Sequence, residues 1–141
     1  MVVAMVLFGC GSDEPSINGN WYAEVNGACG IAATFVVSKS TYSIGMICSL
    51  SNGSFGMEME VGDADFSVPG QVSLVPRKAT CPTSDHTSET DAYSFNGSSL
   101  VIVAPSGAVA FKPNRESGGE GAVSFGCWTM GTLEPHPLKD L

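Results

Sequence analysis

The chain has 141 residues, room for one domain, and its 17 glycines and 14% charged residues argue against a helical protein. The formal charge is −8, with Lys and Arg only at Lys39, Arg77, Lys78, Lys112, Arg115 and Lys139. No basic patch exists for phosphate backbones or anionic lipid, so nucleic acid is set aside as a partner.

The first segment, Met1 to Phe8, is short and apolar, and leads through Leu7-Phe8-Gly9-Cys10 into the linker Gly11-Ser12-Asp13-Glu14-Pro15-Ser16. A helix that crosses a bilayer needs about 20 apolar residues, more than this run offers. Leu at −3, a small residue at −1 and then a cysteine resemble the bacterial lipoprotein signal. The resemblance implies that the Cys10 thiol receives a diacylglycerol and becomes the first mature residue. Residues 1–9 are then a signal remnant, 10–16 the anchor and linker, 17–132 a β domain and 133–141 an irregular tail. The run carries no Lys or Arg, so an upstream start codon is expected to supply the basic region of the signal. Gly11 in place of the retention Asp implies an outer-membrane address in the cell envelope, facing periplasm or cell surface. The alternative is a buried N-terminal strand with a free Cys10.

Residues 17–25, Ile-Asn-Gly-Asn-Trp-Tyr-Ala-Glu-Val, read as the first strand, and Asn26-Gly27 turns the chain. Cys29 to Val37 and Thr41 to Cys48 follow. Setting Phe35 opposite Tyr42 in an antiparallel pair puts Ala33 against Ile44, Ile31 against Met46 and Cys29 against Cys48. Opposed residues share a face, so one register yields an apolar face and a cysteine pair together. Phe55 to Val61 alternates, predicting Phe55, Met57, Met59 and Val61 inward with Glu58 and Glu60 outward. Gly62 to Asp65 reads as a turn and Gln71 to Pro76 as a strand.

Arg77 to Asp91 is a long polar segment, expected to be a loop pinned by Cys81. Tyr93-Ser94-Phe95 and Leu100 to Ala104 read as a hairpin about Asn96-Gly97. Ala108 to Lys112 is a further strand, Arg115 to Gly121 a Gly-rich loop and Ala122 to Met130 the last strand. Gly131 to Leu141 holds Pro135 and Pro137 and cannot form a regular helix.

With Cys10 as anchor, Cys29, Cys48, Cys81 and Cys127 remain, an even number in an oxidising compartment. None lies in a C-x-x-C, so structural disulfides are expected rather than a redox or zinc site. The register selects Cys29–Cys48, and Cys81–Cys127 follows by elimination. The expected fold is all-β, an antiparallel up-and-down barrel, with a flattened sandwich as the alternative.

Gly19-Asn20-Trp21-Tyr22 resembles the Gly-x-Trp-Tyr that opens the first strand of lipocalins and the wider calycin group. Thr90-Asp91-Ala92-Tyr93 loosely resembles their Thr-Asp-Tyr motif. That likeness implies a barrel whose floor Trp21 closes, and it is compatible with a small hydrophobic ligand bound inside by Trp21, Tyr42, Met57 and Met59. The alternative is a side-chain-filled barrel that acts as a structural or protein-interaction module. Ile17 to Tyr22 also resembles the opening of streptavidin, but two tryptophans and Ala23 after Tyr22 leave biotin without its walls.

Catalysis finds little in the chain. Asp85-His86 beside a serine lacks a nucleophile elbow, and Asp63 with Asp65 lacks calcium-loop spacing. The expectation is a monomeric, non-catalytic lipoprotein without cofactor or metal, held to the membrane through Cys10.

Overall fold

The computed structural model describes residues 16–81, 87–114, 123–129 and 132–135. Its strands begin where the turn chemistry demands. Asn26 Oδ1 accepts from the backbone N–H groups of Ala28 (2.9 Å) and Cys29 (3.0 Å), closing the turn between β1 (Gly19–Glu24) and β2 (Cys29–Val36). A 3-10 turn over Val37–Lys39, with Ser40 left-handed at φ 55°, leads into β3 (Thr41–Ser49). The β2–β3 register matches the cysteine argument residue for residue, from Phe35 opposite Tyr42 to Cys29 opposite Cys48. Both expected disulfides are present, Cys29–Cys48 and Cys81–Cys127.

β4 (Phe55–Asp65) is the longest strand, and it runs through the stretch expected to turn at Gly62 to Asp65. The turn falls one step later, where Asp65 Oδ1 accepts from the Ser67 N–H at 2.9 Å. β5 (Gln71–Ala79), β6 (Glu89–Asn96), β7 (Ser99–Ala104) and β8 (Gly107–Pro113) follow. The expected polar loop is therefore shorter at both ends, because residues 77–79 belong to β5 and 89–91 to β6.

Strands β1 to β8 pair antiparallel in chain order, and β8 returns to β1, closing an eight-stranded up-and-down barrel. Seven of the eight ladders join neighbours in the chain. The β1–β8 seam pairs only Trp21 with Pro113 and Tyr22 with Lys112, extended by the Asn114 N–H donating to Asn20 O at 2.9 Å.

β4 shares one edge between two partners. Glu60 to Asp65 pair with β5, while Phe55 to Met57 pair in parallel with β9 (Val123–Thr129). A register shift between Val61 and Gly62, with Arg77 as the extra residue of β5, bends the sheet near the branch. β10 (Thr132–Pro135) pairs back on β9. Four residues expected in or beside the irregular tail are thus a strand: a proline at the end of an edge strand costs no ladder hydrogen bond.

One end of the barrel is a packed floor. Ile17, Trp21, Phe35, Leu100 and Phe111 are buried there, with Phe66 edge-on to Phe35 at 6.2 Å between ring centres. Trp21 is 7% exposed, its indole N–H donates to Ile17 O at 2.8 Å, and its ring lies 6.4 Å from that of Phe95. This is the floor position that the opening motif implies for it.

Candidate functional site

The register decides which side chains face the barrel interior. Opposed residues share a face, Tyr42 is buried in the core, and Tyr42, Ile44 and Met46 stand opposite Gly62, Glu60 and Glu58. Glu58 and Glu60 therefore face inward, and Phe55, Met57, Met59 and Val61 face outward. The sequence expectation for β4 is inverted. Its alternation is real, but the usual rule of apolar in and polar out fails here. Outside, Met57 stands opposite Phe125 of β9. Inside, the Tyr42 hydroxyl donates to Glu60 Oε2, giving the carboxylate a partner.

β6 adds two more acids. Glu89, Asp91, Tyr93 and Phe95 alternate with exposed Thr90, Ala92, Ser94 and Asn96, and Tyr93 and Phe95 pack on the core. Continuing that face back along the strand turns Asp91 and Glu89 inward, opposite Val72 and Leu74 of β5. The alternation through residues 89–95 was visible in the sequence, but polar composition made its first half read as loop.

Interior electrostatics follow. Burial, then hydrogen bonding to Glu89 and the repulsion of its charge, push the Asp91 carboxyl up to about 7. Burial, then the hydrogen bond to Glu60 and the nearby carboxylates, push the Tyr42 phenol above its ordinary range. Asp91 is only 3% exposed, and its Oδ1 has no hydrogen-bond partner among the described residues. The described cations, Lys39, Arg77, Lys78 and Lys112, are all exposed. Arg77 is spent on Asp63, at 2.6 Å and on the surface.

Above the floor, the inward side chains are not sealed. Ile31, Ile44, Tyr93, Phe95 and Val109 pack on the core yet stay partly exposed, as do Glu58, Glu60 and Glu89. At the cystine end, a cleft of about 790 Å³ lies between the β9–β10 hairpin and the ends of β2 and β3, lined by Met46, Cys48, Leu50, Trp128 and Leu133. Gly56 makes the hairpin's docking possible, since a Cβ there would meet Leu133 and the Trp128 ring. Met46 faces inward and also lines the cleft, so cleft and interior adjoin. The Trp128 Nε1 is buried without a hydrogen-bond partner among the described residues.

The sequence-predicted ligand residues divide. Trp21 and Tyr42 belong to the interior, as floor and as part of the acid cluster. Met57 and Met59 line an outer groove of about 720 Å³ with Tyr22, Ala32 and Phe125, which Trp21 also borders from the edge of the floor. Asn114 and Phe125 both border that groove, and the chain between them, residues 115–122, lies outside the described residues, so the groove receives no assignment. Cys10, His86 and residues 136–141 also lie outside them. Glu58 has a carboxylate oxygen within 4.8 Å of the sulfurs of Cys81 and Cys127, but joined in a cystine they are not thiolate ligands.

Comparison with protein-family models, curated proteins and solved structures finds no match. Function must be argued from the barrel itself.

Proposed function

We propose that this chain is a non-catalytic binding module whose barrel receives a small, largely apolar ligand through the cystine end. One observation carries the reading: Ile31, Ile44, Tyr93 and Val109 face the interior but keep contact with solvent, whereas the floor beneath them is closed. Inward apolar surface left partly wet above a closed floor supports room for a ligand. Eight strands enclose space for about one small ligand, and apolar walls with a few placed polar groups are what such sites use. Met46, Trp128 and Leu133 form the approach, Ile31, Ile44 and Val109 the apolar wall, and Trp21 the floor.

The same proposal places the module in a bacterial envelope, tethered by a lipid on Cys10. Support comes from the Leu7-Phe8-Gly9-Cys10 pattern and from two cystines, which persist in oxidising compartments. Metabolic labelling with an alkyne-bearing fatty acid is expected to mark the wild-type chain and not Cys10→Ser.

Native mass spectrometry of the chain purified under mild conditions tests the binding reading. A reproducible adduct, lost on denaturation, is the expected result. A bare mass, together with failure of Ile44→Trp to alter any bound probe, moves the reading to a filled barrel that meets a protein partner.

A further inference from the structure

The interior is acidic in a way that apolar cargo does not explain. Asp91 projects inward from β6 with Glu89 beside it, Glu58 and Glu60 project from β4, and Tyr42 from β3. The strands flanking β6 present Val72 and Leu74 on one side and Leu100 and Ile102 on the other, none of which carries charge. A buried carboxylate is costly unless paired or hydrogen-bonded. Glu60 has the Tyr42 hydroxyl. Asp91, at 3% exposure, has an oxygen with no partner among the described residues, and its carboxyl interacts with another acid, Glu89. The aromatic ring of Tyr93 is the next inward position on the same strand, half-buried and suited to a cation's approach.

We propose that the ligand of this barrel is a small amphiphile bearing a protonated amine, received by Asp91 and Glu89 with Tyr93 beside them, its apolar part against Ile31, Ile44 and Val109. The inference rests on the binding reading above and names its ligand class. The amine supplies the missing donor to Asp91 Oδ1 and the counter-charge to an acid pair that no described cation reaches. A fatty acid or other anion would add negative charge beside that pair.

The test compares three probes with one chain length and different heads, octylamine, octanol and octanoate, by calorimetric titration of the full chain near pH 8. Octylamine is expected to bind at least about tenfold more tightly than octanol, equivalent to about 1.4 kcal/mol, and octanoate more weakly than either. Asp91→Asn and, separately, Glu89→Gln are expected to lower octylamine to the level of octanol while leaving octanol unchanged; Glu89→Gln carries the comparison if Asp91→Asn does not fold. The preference for octylamine is expected to fall on going from about pH 8 to pH 5, as Asp91, which shares the interior with Glu89, Glu58, Glu60, Tyr42 and Tyr93, takes up its proton. Octanol or octanoate binding as tightly as octylamine would overturn the amine assignment and leave the binding reading standing. Absence of saturable binding by all three would overturn both.

Discussion

The hydroxyl of Tyr42 and the carboxylate of Glu60 are hydrogen-bonded inside the barrel, from adjacent strands whose register turns both side chains inward. A phenol that donates to a carboxylate in a low-dielectric interior resists ionisation, because its anion would face a like charge. The pair is thus both a brace between β3 and β4 and the first sign that the interior is polar on one wall.

That brace has a spectroscopic consequence. Tyr42 is expected to stay protonated in an alkaline absorbance titration until the barrel unfolds. Tyr42→Phe is expected to destabilise by about 1.5–3 kcal/mol, the worth of a hydrogen bond to a charged group, read as a shift in denaturation midpoint at constant m-value.

Asp91 should make stability depend on pH. Its carboxyl titrates at about 7 in the fold against an ordinary value of 3.8, so between these values the folded state holds a proton that the unfolded chain has lost. Its contribution is full below about pH 4, declines as pH rises, and is gone above about 7. Asp91→Asn is expected to flatten that slope and to raise stability at pH 8 by on the order of a few kcal/mol. Urea melts at pH 4.5, 6 and 8 check it; a wild-type curve that rises over this interval refutes the assignment.

The two cystines should differ in worth. They close separations of 19 and 46 residues, for which loop entropy gives about 3 and about 4 kcal/mol. Paired serine substitutions at Cys81 and Cys127 are expected to lower the melting temperature more than those at Cys29 and Cys48. Non-reducing peptide mapping is expected to recover both links and no Cys29–Cys81 species.

How far these features were legible in the sequence differs from strand to strand. The β2–β3 register could be read because two constraints, an apolar face and a cysteine pair, converge on one alignment. The β4 alternation could be read but its direction could not. Hydropathy assigns Met57 and Met59 to the inside, whereas the pairing with β9 and the Tyr42–Glu60 bond go with the reversed faces, and both depend on partners distant in sequence. Glu89 and Asp91 were lost to a loop for the same reason: composition outweighed a period of two that ran on from Tyr93 and Phe95. The parallel attachment of β9 left no local signal at all.

Gly62 offers a test of the register shift between β4 and β5. A Cβ at this position would overlap the Val75 carbonyl oxygen, beside that shift, so Gly62→Ala is expected to cost about 2–4 kcal/mol. Gly27→Ala, where a Cβ meets nothing within 4 Å, is expected to stay within about 0.5 kcal/mol. Thermal melts of the two variants side by side measure the difference.

The β1–β8 seam carries a kinetic consequence. Each other ladder of the ring can zip from a hairpin, but this one must bring together segments separated by nearly the whole barrel, and it is held by two residue pairs. Contacts of such long sequence separation are the slow ones to form. Trp21 lies on that seam, opposite Pro113, with its indole in the floor. Its fluorescence therefore times the last act of folding, the moment at which an open ribbon of strands becomes a ring.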